Sequence, residues 1–291
     1  MFMKRLEIKA RGKINLALDI VGKYDNGYHA VDMIMQKINL HDTLLCEKNE
    51  EDIVILCEHK DVPLNENNLI VKAIQGVKDY LDVDYGMVIT LEKNIPVSAG
   101  LGGGSSDAAS AIKAYNSLYE LGLTKEEMQA IGQSVGADVP FFFEGDCCRA
   151  SGIGEKLRPI KGLDDGWIVL CKPNISVSTQ EVYQSLNYPL ILSHPNVDAM
   201  ERALENENLE EVSKHLGNVL EQVTLKRYSS VREIKEKLTQ SMALGVLMSG
   251  SGPTVFGLFK DYESGNKVYK RLSNIYSETC LTRSFNGGHY E

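Results

Sequence analysis

The chain has 291 residues, 43% hydrophobic and 24% charged, the balance of a globular protein long enough for two domains. Its net charge of −9 argues against nucleic acid as a partner, since bulk electrostatics oppose a second polyanion. No apolar run approaches membrane-spanning length, and Met1-Phe2-Met3-Lys4-Arg5-Leu6-Glu7 has neither the apolar core nor the cleavage site of a signal peptide, so the expectation is a cytoplasmic protein with no membrane partner.

In chain order, Leu6 to Ala10 alternates like an edge strand, Arg11-Gly12-Lys13 reads as a kink, and Ile14 to Val21 reads as a mostly buried second strand. Lys13 therefore opens a buried strand, where an ammonium either snorkels off an edge or answers an anion. Lys23 to His29 is a turn signal ending in the polar aromatic pair Tyr28-His29. Val31 to Leu45 is apolar but interrupted by Asp42, and Asp52 to Cys57 is another short strand. Several short strands before the glycine-rich loop that starts at Pro96 point to a mixed sheet rather than a doubly wound parallel one. Asn67-Asn68 caps a helix through Leu81, with Leu69, Ala73, Val77 and Leu81 on one face.

Gly86 to Lys93 is strand-like and leads into Pro96-Val97-Ser98-Ala99-Gly100-Leu101-Gly102-Gly103-Gly104-Ser105-Ser106, after which a helix is expected from Ser106 to Leu121. Strand, glycine loop and helix start together present free backbone N–H groups and a helix dipole to an anion. This is not a Walker loop, because Gly104 is followed by Ser105-Ser106 rather than Lys-Ser or Lys-Thr. It is not a dinucleotide fingerprint either, because the third glycine would fall on Ser105 or Asp107.

Gly122 ends that helix, and Thr124-Lys125-Glu126-Glu127 is a capping box for the next, whose stripe is Met128, Ile131 and Val135. Past Gly136, Asp138 stands before a run read as an apolar strand, Val139-Pro140-Phe141-Phe142-Phe143. Such a carboxylate is either a turn former or a group with a cationic or hydrogen-bonding partner. The polar, glycine-rich stretches 151–155 and 161–166 are where a boundary falls, so the expected domains are 1–160 and 161–291. Trp167 to Cys171 restarts as a strand, 175–179 is a polar loop leading to Tyr183, and Val197–Glu205, Leu209–Lys226 and Ser229–Gln240 read as helices. Gly245 to Met248 and Thr254 to Phe259 are strands around a second glycine loop, Ser249-Gly250-Ser251-Gly252-Pro253, before a helix through Lys270-Arg271-Leu272 and a last strand from Thr279 to Phe285. Cys46, Cys57, Cys147, Cys148, Cys171 and Cys280 include no Cys-x-x-Cys pair, and no histidine has metal-motif spacing, so idle thiols and no protein-built transition-metal site are expected.

With Lys13, the 96–109 loop, Asp138 and the 249–254 loop in order, the chain resembles the GHMP kinases (galactokinase, homoserine kinase, mevalonate kinase, phosphomevalonate kinase) along essentially its whole length. The resemblance implies an α+β, two-domain fold: an N-terminal ribosomal protein S5 domain 2-like domain with a mixed sheet, and a C-terminal ferredoxin-like α/β layer. Within the family, Lys13-Ile14-Asn15-Leu16, Gly27-Tyr28-His29, Asn68-Leu69-Ile70, Gly102 to Asp107 and Gly136 to Pro140 look most like the members that phosphorylate 4-diphosphocytidyl-2-C-methyl-D-erythritol (4-CDP-2-C-methyl-D-erythritol) in the non-mevalonate isoprenoid pathway. Arg11, where many relatives have proline, and Asn26, where they have aspartate, are small departures.

The resemblance assigns roles to residues. Lys13 and Asp138 are the catalytic pair, and residues Pro96 to Ser106 hold the ATP phosphates. Asn68, Leu69, Ile70 and Lys93 line the adenine and ribose side. Tyr28 and His29 hold the cytosine, Tyr183 stacks on its other face, and Asn15 and Thr179 also bind the substrate. Mg2+ is expected with ATP, with Ser106 the best protein candidate near it and Asp107 a weaker one. The 249–254 loop is expected to close the site. A sibling kinase for homoserine or mevalonate needs no cytosine clamp, and a non-catalytic regulator on this fold is expected to have lost Lys13 or Asp138.

Overall fold

In the computed structural model of the chain, residues 5–25, 27–164, 166–191 and 193–287 are described. Residues 1–4 of the segment read for a leader lie outside them, as do Asn26 of the turn and Asp165 of the polar stretch. The described residues form two compact units. One comprises the described part of Met1–Gly12 with Leu40–Val97 and Gly102–Gly145; the other comprises Lys13–Asn39, Ser98–Leu101 and the described part of Asp146–Glu291. Whereas 1–160 and 161–291 are linear halves, these units are discontinuous, because two long strands and the glycine loop contribute to both.

The long strands are β1 (Arg5–Lys23) and β2 (His29–Asn49). No kink interrupts β1 at 11–13: the strand is continuous, and residues 12–20 are all buried. The strand is buried on both faces over that stretch, and Lys13 lies inside it rather than at its start.

In the first unit β3 (Ile53–Leu56) pairs parallel with β4 (Gly86–Glu92), and β4 pairs antiparallel with the second half of β2, from Thr43 opposite Glu92 to Asn49 opposite Gly86. The sheet is mixed, as expected. Helices α1 (Leu69–Leu81), α2 (Gly103–Tyr119) and α3 (Lys125–Val135) pack on one another. Asn68 caps α1 by accepting the Ile70 N–H, and Thr124 and Glu127 form the full capping box of α3. Helix α2 buries Ala108, Ala109, Ala111, Ile112, Tyr115 and Leu118, a stripe whose small members let α1 approach closely. It begins three residues earlier than expected, because Gly102 takes the left-handed conformation that turns the loop into the helix. The strand expected at 139–143 is instead a 3-10 helix, Val139–Phe143. Pro140 has a fixed φ and no N–H for a ladder, and the three phenylalanines bury themselves against α2 and α3 from this tight turn.

In the second unit β5 (Cys147–Gly152) pairs antiparallel with the first half of β2, and β6 (Lys156–Pro159) pairs with β5. Then follow β7 (Trp167–Lys172), α4 (Thr179–Ser185), α5 (Val197–Glu205) and α6 (Leu209–Lys214). The helix expected over 209–226 is broken after α6 by a two-residue strand, β8 (Gly217–Asn218), which pairs parallel with β1 at Ala17 and Leu18, and resumes as α7 (Glu221–Arg227). Gly217 is closely approached by Pro195, whose Cβ would lie 2.7 Å from a Cβ added there. Next come α8 (Ser229–Thr239), β9 (Gly245–Met248), β10 (Val255–Phe259), α9 (Tyr262–Ser273) and β11 (Glu278–Arg283). The antiparallel sheet runs β11-β7-β10-β9, with α8 and α9 packed against it, the α/β layer expected of this half. No helix among the described residues is long and apolar enough to cross a membrane.

Candidate active site

The backbone of the glycine loop alternates in handedness, with positive φ at Ser98 (53°), Gly100 (75°) and Gly102 (69°). Backbone that alternates in this way can turn successive N–H groups toward an anion. In the first unit, the first bond into α2 is Ser106 N–H to Gly102 O at 2.9 Å, so the N–H groups of Gly103, Gly104 and Ser105 lie ahead of the ladder. The helix dipole adds partial positive charge there. Gly104 is exposed, and the Cβ it lacks would lie 3.4 Å from Leu69 Cδ1, so the start of α1 borders the start of α2. Leu69 thus stands beside the start of α2, with Asn68 next to it in sequence, whereas the Ile70 side chain is fully buried in the core. Pro96 and Val97 are half-buried in the approach to the loop.

Asp138, half-buried, precedes the 3-10 helix in the turn after α3. A Cβ at Gly136 in that turn would lie 4.0 Å from Ser105 Oγ, so the segment bearing Asp138 runs past the first residues of α2.

Lys93 has a partner the sequence did not suggest. Its ammonium sits between Asp42 and Asp107, the latter at 3.0 Å, with all three side chains at most 5% exposed. Burial opposes the charge on Lys93, but the attraction of Asp107 and Asp42 outweighs it and leaves its pKa raised. One cation cannot neutralise two buried carboxylates, and burial with the nearby Asp42 charge pushes Asp107 up to about 8. Asp42 also accepts the N–H groups of Asn94 and Ile95, at 2.6 and 2.8 Å, which fixes the exit from β4 into the loop. The signal for Asp42 was its interruption of an apolar strand.

The second unit gathers another set. Lys13, only 4% exposed, donates its backbone N–H to Leu101 O at 2.8 Å and its Nζ to Asn15 Oδ1 at 2.8 Å. The Asn15 amide donates to Met33 Sδ at 3.5 Å. Lys13, Asn15 and the Ser98–Leu101 part of the loop are therefore brought together, with Ala99 and Leu101 buried. The 249–254 loop belongs to the same unit, and Ser249 Oγ donates to Gly100 O at 2.9 Å.

At the other end of β1 and β2, Tyr28 is 61% exposed and His29 only 8%. The His29 ring centroid lies 5.6 Å from that of Tyr183 on α4, tilted by 51°, and His29 Nε2 is buried without a hydrogen-bond partner. Burial, with Lys23 secondary, holds His29 below its ordinary pKa, so the ring is neutral at pH 7. A neutral imidazole with an uncommitted nitrogen beside two tyrosines suits a planar, hydrogen-bonding ring. Thr179, which opens α4, shares a hydrogen bond with Ser251 Oγ at 2.8 Å.

No cluster of three or more His, Cys, Asp or Glu residues among the described residues could hold a metal ion. The residues do fit a cation carried by a nucleotide, which needs only one or two protein oxygens. Asp107 Oδ1 is buried and without a partner, next in sequence to Ser106.

Residues 68–146 match the GHMP kinases N terminal domain, and residues 200–278 match the GHMP kinases C terminal domain. The chain is 44% identical to a 4-diphosphocytidyl-2-C-methyl-D-erythritol kinase of Alkaliphilus oremlandii, over 98% of this chain and 99% of that protein. It is 44% identical to a protein of the same name from Clostridium novyi, over 95% of this chain and 99% of that protein. A crystal structure of 4-(cytidine 5'-diphospho)-2C-methyl-D-erythritol kinase is similar with a TM-score of 0.83 and 28% identity, covering 97% of this chain and 100% of that one.

Proposed function

The chain belongs to the GHMP kinase family, and from that premise we propose that it transfers the γ-phosphoryl group of ATP to the 2-hydroxyl of 4-diphosphocytidyl-2-C-methyl-D-erythritol, a step of non-mevalonate isoprenoid precursor synthesis. It is a phosphotransferase with an alcohol acceptor, and a cytoplasmic one. What carries the choice of substrate is the pairing of an exposed Tyr28 with a neutral His29 whose Nε2 has no partner, beside Tyr183. That set suits cytosine, and a homoserine or mevalonate kinase has no use for it.

Phosphoryl transfer asks a protein chiefly for positioning and charge neutralisation. The N–H groups of the 96–106 loop receive the phosphate oxygens of ATP, and Asn68, Leu69, Ile70 and Lys93 support the nucleoside side. Lys93 does so indirectly, since its ammonium is committed to Asp42 and Asp107. Asp138 accepts the proton as the 2-hydroxyl oxygen attacks the γ-phosphorus; the bond from that phosphorus to the β,γ-bridging oxygen breaks, and ADP leaves. Lys13 supplies positive charge that offsets charge developing on the phosphoryl oxygens. Asn15 orients the erythritol end, and Tyr28, His29, Thr179 and Tyr183 hold the cytidylyl end. Ser106, with Asp107 Oδ1, would hold Mg2+, which when bound neutralises charge on the β- and γ-phosphates.

The test is ADP release by the purified protein with three acceptors: the cytidylyl methylerythritol, homoserine and mevalonate. Turnover confined to the first is expected. Comparable turnover of homoserine or mevalonate would refute the assignment.

A further inference from the structure

The loop 249–254 is held on one side by β8 and α7 and on the other side holds residues 98–101. Asn218, on β8 and 7% exposed, donates from Nδ2 to Met248 O and to Gly250 O at 2.8 Å each, and accepts the Leu220 N–H on Oδ1 at 3.0 Å. Thr224 Oγ1 donates to Ser251 O at 3.1 Å, and Glu221 accepts the Met248 N–H at 3.0 Å. Across the loop, Ser249 Oγ donates to Gly100 O at 2.9 Å, and the Thr254 N–H donates to Ala99 O at 3.3 Å. The two backbones touch: a Cβ on Gly100 would lie 2.4 Å from Ser249 O and 2.9 Å from Gly252 O. There is no slack between them.

Asn218 belongs to neither glycine loop and to none of the family motifs quoted above. Both protons of its amide are nevertheless used to hold carbonyls on either side of Ser249. We infer that Asn218 is a positioning residue for the nucleotide. It fixes Met248 and Gly250, hence Ser249, whose hydroxyl sets the Gly100 carbonyl and with it the direction of the 98–101 N–H groups. The inference rests on the phosphate-binding reading of 96–106. Truncating Asn218 leaves two buried carbonyls without donors, and the loop must shift to find water.

Steady-state kinetics of the full chain carrying Asn218→Ala, Ser249→Ala or both test this, with ATP and the cytidylyl substrate varied separately. Each single change is expected to raise KM for ATP by about 5- to 150-fold, the equivalent of an unsatisfied buried polar group, with a much smaller change in KM for the cytidylyl substrate. The double variant is expected to be little worse than the worse single one, because both act through the same contact. A merely structural asparagine would lower the folded fraction and the apparent kcat while leaving KM for ATP unchanged. Folded Asn218→Ala with wild-type KM for ATP, or fold-changes that multiply in the double variant, overturns the inference. Should Asn218→Ala fail to fold, Ser249→Ala carries the test, since wild-type KM for ATP there breaks the same chain of contacts. Wild-type protein that releases no ADP with the cytidylyl substrate would instead refute the proposed function.

Discussion

Substituting Gly104 by alanine separates a phosphate site from an ordinary glycine-rich turn. Gly104 lies in the first turn of α2, and no left-handed φ demands glycine there. The nearest atom to an added Cβ is Leu69 Cδ1 at 3.4 Å, an ordinary contact. On the protein alone the change is therefore neutral or favourable, since alanine replaces glycine in a helix with a gain of up to about 1 kcal/mol. A bound phosphate reverses the balance, because a methyl group would then stand beside an N–H that must reach an oxygen. Losing one hydrogen bond to a charged group costs about 1.5–3 kcal/mol, which is about 10- to 150-fold in ATP affinity. The assay is paired: thermal unfolding of the free protein, and titration with ATP. Unchanged or raised Tm together with weakened ATP binding is expected. Unchanged Tm with wild-type ATP affinity would sink the phosphate reading of the loop.

Other outcomes follow from the same geometry. Tyr28→Ala removes a mostly exposed ring, so stability should hold within about 0.5 kcal/mol; loss of one base stack should raise KM for the cytidylyl substrate by about 5- to 150-fold, with ATP unaffected. Lys93→Met strands two buried carboxylates and should cost about 3–5 kcal/mol in denaturant unfolding; a variant of wild-type stability would contradict the buried trio. His29 is held below its ordinary value in the fold, so its stabilising contribution is present above about pH 6.5 and is lost as pH falls further, where the unfolded chain takes up the proton more readily. Cytidylyl KM should rise over that acid range, and His29→Gln, which cannot titrate, should flatten the profile.

Local chemistry explains which elements were legible. Asn68 and Thr124 announce their helices through caps that satisfy orphan N–H groups, and both form as read. The alternating apolar runs that became β4, β9 and β10 are confined to within a residue of their expected ends. What depended on distant partners was not legible. The 139–143 run has strand-like composition, yet Pro140 and burial against α2 and α3 make it a 3-10 turn. The 209–226 run is helical in composition, but β1 supplies a partner for two of its residues and Asn218 spends its side chain on the 249–254 loop. The resemblance put Lys93 on the expected nucleoside side, but nothing local matched it to Asp42, which lies 51 residues earlier. Lys13, Tyr28, His29 and the glycine loop stood out because buried charge, turn chemistry and clustered glycines are visible in the chain itself, whereas Asn15 was singled out only by the resemblance.

The most direct check is phosphorus NMR of the product formed from ATP and 4-diphosphocytidyl-2-C-methyl-D-erythritol by the wild-type chain and by Asp138→Asn. The expected result is one new phosphomonoester on the 2-oxygen per ADP released, formed by the Asn variant about 10²- to 10⁴-fold more slowly while ATP still binds. Full-speed turnover by Asp138→Asn, or a phosphate appearing on any other oxygen, would contradict the account.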